Sequence, residues 1–260
     1  MKKHVLYLLI FGLFVFSRCS MQPAKPEITI FAAASLTEAF NFLTLGFSGQ
    51  HPEITVSISY SGSQTLRTQI LEGAQADVFA SANLKHMDDL IAARLVEPDH
   101  SQVFVTNQIV VVLPADNPAD VRTLESLATP GLKLVMAAPE VPVGSYSLDV
   151  LSALNGLYDP TYQARVLANL VSSEENVKQV IAKVQLGEVD AGMVYRSDAV
   201  AAPELIVLPI PEEYNITAEY AIAPLTAAPH PDLAEAFLEY VLSSKGQAIL
   251  ERWGFTPVRP

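Results

Sequence analysis

The sequence predicts an α/β fold with mostly parallel sheets, because segments with strand periodicity alternate with segments with helix periodicity. Residues 54–60 alternate apolar and polar side chains, as a half-buried strand does. Apolar side chains recur at helical spacing from Leu36 to Phe47, directly after a first strand at residues 28–31. Small and polar residues separate such segments, which is typical of short strand-to-helix connections.

The remaining elements follow the same alternation. The predicted strands are residues 28–31, 54–60, 77–80, 103–113, 132–137, 190–195, 205–208 and 219–222. The predicted helices are residues 36–47, 66–71, 81–95, 124–127, 148–154, 163–170, 177–184, 233–242 and 247–253. Residues 103–113 are long for one strand, and Asn107 and Gln108 interrupt them, so we expect the chain to cross between two parts of the fold there.

The first residues have the pattern of an export signal. Two lysines precede an apolar run at residues 5–16, which is too short for a membrane-spanning helix. Cys19 follows the run at the position where bacterial lipoprotein signals carry their lipidated cysteine, although Arg18 departs from that pattern. We therefore expect residues 1–19 to act as a signal with Cys19 lipidated. The alternative is ordinary cleavage near Ser20 or Ala24 and release of a free protein.

Composition excludes several classes of protein. The chain has 28 acidic and 16 basic residues, a net charge of −12, and removal of residues 1–18 would make it about −15. Such a surface argues against nucleic-acid binding, and it leaves any small anion to be held by local dipoles. Cys19 is the single cysteine, so neither a disulfide nor a thiolate metal cluster is expected. The five histidines lack metal-ligand spacing, and no nucleotide-binding, zinc-protease or nucleophile-elbow motif is present.

One local design recurs along the chain. At Ser35 a strand passes through small residues into a helix, and Glu38 three residues later completes a capping-box pattern. Such a turn can hold an anion on free N–H groups, or Ser35 can simply cap its helix, and the stretch alone leaves both open. The design recurs at Ser63, near Val143 and near Val177. Four converging helix starts would supply about two positive charges, enough for a dianion.

Seven short motifs, in order, carry a resemblance to a known family. They are FAAASLT (31–37), YSGS (60–63), ADVFASA (76–82), PEVPVG (139–144), ENV (175–177), GMVYRSDA (192–199) and RWGF (252–255). Together they resemble the molybdate-binding proteins of bacterial ABC importers over essentially the whole chain after the signal.

The resemblance implies a two-lobed periplasmic-binding-protein fold of type II, with a ligand cleft between the lobes. Lobe I would comprise residues 26–104 and 218–260, and lobe II residues 105–217. The resemblance further implies five ligand-binding residues and no catalytic residue, cofactor or direct protein–metal bond. They are Ser35 and Ser63 through hydroxyl and N–H, Val143 and Val177 through N–H, and Tyr195 through its hydroxyl.

Each of these residues has a purely structural alternative. Ser63 could only cap a helix, Val177 could only pack on an apolar helix face, and Tyr195 could be a core aromatic with a wet hydroxyl. Arg196 and Asp198 are interpreted as a surface pair or helix cap.

The function implied is high-affinity binding of molybdate, and of tungstate, outside the cytoplasm. Delivery would be to an ABC transporter permease and ATPase, by a monomer that is periplasmic or held to the membrane by lipid. The alternatives are another ion in the same cleft (sulfate, phosphate or ferric iron) or a hydrolase using Ser35 or Ser63.

Overall fold

The computed structural model describes residues 25–258, and the predicted signal and Cys19 lie outside them. The strands form two separate sheets, each flanked by helices. The α/β class is therefore confirmed. Within residues 25–258 no helix combines the length and the apolar character that crossing a membrane requires.

The first sheet has six strands in the spatial order β11-β4-β10-β3-β1-β2. In chain order they are β1 (Glu27–Ala33), β2 (Thr55–Ser61), β3 (Val78–Ser81), β4 (Gln102–Asn107), β10 (Ala218–Pro224) and β11 (Thr256–Pro257).

The second sheet has five strands in the order β7-β6-β8-β5-β9, all from the middle of the chain. They are β5 (Ile109–Leu113), β6 (Leu134–Ala137), β7 (Leu170–Glu174), β8 (Ala191–Tyr195) and β9 (Ile206–Pro209).

Helices connect most of these strands. They are α1 (Thr37–Gln50), α2 (Ser63–Leu71), α3 (Leu84–Ala92), α4 (Pro142–Leu154), α5 (Tyr162–Leu167), α6 (Val177–Gln185), α7 (Arg196–Ala201), α8 (Pro231–Leu242) and α9 (Ser244–Arg252). Short 3-10 turns lie at Ala34–Leu36, Pro98–His100, Leu124–Ala128 and Glu212–Tyr214.

Both sheets are mixed, with more antiparallel pairs than predicted. Of the nine strand pairings in residues 27–257, four are parallel and five are antiparallel. The antiparallel pairs arise where the chain passes between the sheets, because β4, β5, β9 and β10 enter against the direction of their neighbours. The strands with parallel pairings form the part of each sheet that carries strand-to-helix turns, and they are β1, β2, β3, β6, β7 and β8.

The chain crosses between the sheets at Gln108, where the sequence predicted a crossing. It returns in the segment between β9 and β10. Asn215 ties the two crossings together, since its Oδ1 accepts from the Ile109 N–H at 3.2 Å and its Nδ2 donates to the Ile109 carbonyl at 2.9 Å. The predicted first lobe boundary, at Phe104, falls inside β4.

Sequence reasoning missed two strands, β7 and the two-residue β11. Strand β7 (Leu170–Glu174) was interpreted as a connection, and the helix predicted at 163–170 ends earlier, at Leu167. This strand lies at the edge of its sheet, pairs only with β6 and exposes Val171 among two serines and a glutamate. An edge strand buries little apolar surface, so it leaves a weak sequence pattern.

Candidate functional site

The five predicted site residues lie together around one cavity between the two sheets. Ser35, Ser63, Val143, Val177 and Tyr195 all line it, and its volume is about 20 Å³. Each residue ends or follows a parallel strand, so the carboxyl ends of those strands face one cleft, as expected for ligand sites in α/β sheets. This volume is the space open to the centre of a water-sized sphere, and it slightly exceeds what one water molecule needs, so the cavity suits a compact occupant of a few atoms. The other lining residues are small, apolar or neutral: Ala33, Ala34, Gly62, Ala82, Val141, Pro142 and Asn176.

Ser35 does not cap helix α1, so the capping-box prediction is wrong. The chain takes a 3-10 turn at Ala34–Leu36 before α1, and Leu36 occupies the cap position with no side-chain bond. The Ser35 hydroxyl instead lies 2.9 Å from the Tyr220 hydroxyl, and both side chains are buried. The Glu38 carboxylate reaches away from the helix to Lys178.

Ser63 is the first residue of α2, after Gly62 at the cap position. Its Oγ accepts a hydrogen bond from the main-chain N–H of Ala82 at 3.0 Å, and it is 1% exposed. That bond occupies a lone pair and leaves the Ser63 O–H available as a donor. The cap-only alternative for Ser63 is therefore not supported by its contacts.

Val143 and Val177 lie in the first turns of α4 and α6. A helix leaves these first N–H groups without an intrahelical acceptor, and the helix dipole makes them attractive to anions. Asn176 caps α6 by accepting from the Gln179 N–H at 3.2 Å, which fixes where that helix begins. Gly144 lets the first turn of α4 pack closely, since a Cβ there would lie 2.1 Å from the Ala138 carbonyl oxygen.

Tyr195 is the last residue of β8 and is 1% exposed. Its hydroxyl is buried and has no hydrogen-bond partner among the described residues. Burial raises the pKa of Tyr195 well above its usual value, so the hydroxyl stays protonated and can donate. A buried donor without a protein partner costs stability unless a ligand satisfies it. Tyr195 is thus a stronger site candidate than its pattern alone suggested.

In the part of the chain that the structure describes, no charged side chain lines the cavity. Its polar groups are hydroxyls, first-turn N–H groups and the Asn176 amide, whose oxygen is already used in capping. The arrangement favours an anion that carries no proton, since no carboxylate is present to accept one.

A partly buried ionic cluster joins α1, α6 and α7, and it was missed by sequence reasoning. Lys178 Nζ is 2.6 Å from Glu38 Oε2 and 3.1 Å from Asp198 Oδ1. Burial opposes the charged form of Lys178, yet the two carboxylates raise its pKa overall. Burial also raises the pKa of Asp198, to about 6, although Lys178 acts in the opposite direction.

The interpretation of Arg196 and Asp198 as a surface pair is therefore wrong. The Asp198 side chain is fully buried and pairs with Lys178. Arg196 donates to the Gly254 carbonyl at 2.8 Å and to Thr256 Oγ1 at 2.8 Å. The partners of Arg196 and Asp198 lie far from them in the sequence. Spacing along the chain therefore gave no indication of these contacts.

Contacts across the cleft hold its two walls together. Gln64 Nε2 donates to the Glu175 carbonyl at 2.9 Å, and His86 Nε2 lies 3.2 Å from the Glu140 carbonyl. Gly62 permits the approach, since a Cβ there would lie 2.6 Å from the Glu175 carbonyl oxygen. These contacts bring the two walls together at the edge of the cavity.

Cys19 lies outside the described residues, and among residues 25–258 no cluster of three or more His, Cys, Asp or Glu is placed to hold a metal ion. The cavity lining includes no histidine beside Ser35 or Ser63. Two sheets that meet over a small cavity define the architecture of a solute-binding protein.

Comparison with known proteins agrees with this class. The family model of bacterial extracellular solute-binding proteins matches residues 28–256, and the chain belongs to that family. Within it, the chain is 38% identical to the molybdate-binding protein ModA of Mycobacterium tuberculosis (strain H37Rv), over 90% of this chain and 87% of that protein. The resemblance recognised in the sequence motifs is thereby confirmed.

Two solved structures share the fold at lower sequence identity. The periplasmic molybdate-binding protein of Azotobacter vinelandii superposes with a TM-score of 0.77 at 23% identity, covering 90% of this chain and 99% of that one. The sulfate-binding protein SubI of Mycobacterium tuberculosis gives a TM-score of 0.80 at 18% identity, covering 90% and 88%. At these identities the likeness establishes the two-lobed fold and leaves the choice of ion to the site.

Proposed function

We propose that this protein binds molybdate, and tungstate with it, outside the cytoplasm and delivers the ion to the permease of an ABC transporter. Ser35, Ser63, Val143, Val177 and Tyr195 would hold the four oxygens of the ion. The observation that carries the proposal is the small cavity between the sheets, which offers hydrogen-bond donors and no charge. The curated relatives named molybdate-binding proteins support the same assignment.

The donor set favours some oxyanions over others. Molybdate, tungstate and sulfate are bare dianions at neutral pH, whereas phosphate keeps a proton that needs an acceptor. The lining carries no carboxylate for such a proton. Sulfate has the right charge but is smaller, and hydrogen bonds weaken steeply with distance, so the spacing of the walls would favour the larger ions.

Delivery and location rest on the family. An extracellular solute-binding protein meets its permease at the outer face of the membrane, and lipidation of Cys19 would keep it there. The lobes we propose are residues 26–104 with 218–260, and residues 105–217. They would separate to admit the ion and close to bury it, as hinged binding proteins do.

The ion is tested by titration calorimetry on the chain without residues 1–19. We expect tight binding of molybdate and tungstate, much weaker binding of sulfate and none of phosphate. A preference for sulfate or phosphate would contradict the assignment. Turnover of ester or phosphoester substrates would favour the hydrolase alternative.

The site is tested by Tyr195→Phe. The hydroxyl has no hydrogen-bond partner within residues 25–258, so its removal should leave the unfolding temperature of the free protein unchanged or slightly higher. Molybdate affinity should fall by about 1–3 kcal/mol, because a hydrogen bond to a charged group is lost. Tyr162→Phe is the matched control, since that buried hydroxyl donates to the Leu124 carbonyl at 2.5 Å, away from the cavity. Wild-type affinity in Tyr195→Phe would refute the role of this residue.

A further inference from the structure

The two serines that line the cavity are oriented by different partners. Ser63 Oγ accepts from the main-chain N–H of Ala82, a group that can only donate. Ser35 Oγ lies 2.9 Å from the Tyr220 hydroxyl, and either oxygen of that pair can be the donor. The direction of this second bond decides what Ser35 presents to the cavity.

A serine hydroxyl has one proton to donate. If Ser35 gave its proton to Tyr220, it would turn a lone pair toward the cavity and repel an anion. If Tyr220 is the donor, Ser35 has its own O–H free for the ligand, as Ser63 has. An anion in the cavity therefore requires that Tyr220 donate and Ser35 accept.

Packing holds the Tyr220 side chain in place beside Ser35, and its hydroxyl keeps a proton to donate. It is fully buried, and its ring makes edge contacts with the rings of Phe104, Tyr195 and Phe255 at centroid distances of 6.4, 5.5 and 5.4 Å. The register of β10 against β4 shifts between Tyr220 and Ala221, an irregularity of the kind that re-aims side chains beside functional sites. Burial raises the pKa of Tyr220 well above its usual value, so its proton is retained.

We propose that Tyr220 is a positioning residue for the anion site: its hydroxyl donates to Ser35 Oγ and fixes the Ser35 hydroxyl as a donor toward the bound oxyanion. The proposal rests on the proposed function. It assigns Tyr220 no contact with the ligand and names Ser35 as the group through which Tyr220 acts.

The test is Tyr220→Phe, which removes the hydroxyl and keeps the ring that packs on Phe104 and Phe255. We expect molybdate affinity, measured by calorimetry, to fall about 3- to 20-fold, the range for a lost orienting hydrogen bond. In a Ser35→Ala background the same substitution should change affinity less than twofold, because no hydroxyl is left to orient. Tyr162→Phe, which loses a buried tyrosine bond elsewhere, should lower stability and leave affinity unchanged.

Four results would overturn the proposal or separate it from the function it rests on. Wild-type affinity in Tyr220→Phe, or an equal loss with and without Ser35, would show that Tyr220 does not act through Ser35. Failure of the wild-type protein to bind any oxyanion would remove the proposed function itself. Neutron diffraction on molybdate-bound wild-type crystals needs no variant: the deuteron should lie on the Tyr220 oxygen, and a deuteron on Ser35 pointing at Tyr220 would refute the proposal.

Discussion

Both walls of the cavity offer hydrogen-bond donors, but the two walls are built from different parts of the chain. The wall from the first sheet presents the side-chain hydroxyls of Ser35 and Ser63, each with a partner in its own sheet region. The wall from the second sheet presents the first turns of α4 and α6, where Val143 and Val177 line the cavity, with the Tyr195 hydroxyl between them. One wall depends on which side chains it carries, and the other largely on where its helices begin.

This difference predicts unequal sensitivity to substitution. A hydroxyl is lost with any change of serine to an apolar residue. A main-chain N–H survives every substitution except proline. Residue identity at 143 and 177 should therefore matter little for binding, although both positions line the site.

The largest expected effect tests the main-chain wall. Val177 is the first helical residue of α6, a position that tolerates proline, and Asn176 before it is extended (φ −161°, ψ 166°), as the residue before proline prefers. Val177→Pro should keep the helix, remove the N–H and weaken molybdate binding about 10- to 150-fold. Calorimetry measures the loss, and circular dichroism checks the helix.

Val177→Ala is the matched control. It removes the buried side chain and keeps the N–H, so stability should fall while affinity changes less than threefold. Equal affinity losses in the alanine and proline variants would mean that the side chain, and not the main chain, makes the second wall.

A smaller effect is expected where the two walls touch. Glu38 pairs with Lys178 across the cleft, and both side chains are partly exposed, so the pair is worth little on its own. We expect Glu38→Gln to weaken molybdate binding about two- to fivefold, chiefly through faster dissociation in stopped-flow measurements. Removing a negative charge beside an anion site would by itself strengthen binding, so a loss identifies the contact between walls. Glu53→Gln, whose carboxylate pairs with His51 within one wall, should have no effect.

Substitution of Asp198 should have the smallest effect on molybdate binding, but it should change how the stability of the protein depends on pH. Burial raises its folded-state pKa to about 6, so it contributes most to stability below its unfolded pKa, near 4, and that contribution is lost as the pH rises through about 6. Asp198→Asn should remove this slope, on the order of 2–3 kcal/mol between pH 4 and 7, while Lys178 keeps Glu38 as its partner. Urea unfolding at several pH values measures it, with the exposed Asp116→Asn as control. An unchanged slope in Asp198→Asn would place the titration elsewhere.

Much of the fold and of the candidate site could be predicted from sequence because it is local. A strand, a turn of small residues and a helix start each leave a pattern within about ten residues, and Ser63, Val143 and Val177 lie at such turns. The α/β class and the crossing at Gln108 follow from the same patterns.

The parts that were missed depend on contacts between distant segments. Ser35 and Tyr220 are 185 residues apart, and Lys178 and Glu38 are 140 apart, so no spacing rule relates them. The capping-box pattern at Ser35 and Glu38 was locally valid, yet both side chains found partners across the fold instead. Tertiary contacts overrode the local capping preference at the Ser35 turn, which is one of several turns that line the cavity.

The uncharged lining of the cavity has a consequence for unloading. Because no side chain there carries a charge, nothing in the walls has to be neutralised or protonated when cargo departs. After the ion leaves, the cleft would carry the same charge that it had before the ion was bound. Separation of the two lobes would then be sufficient to release the ion. The energy for that separation would come from whatever binds the outer surface of the protein.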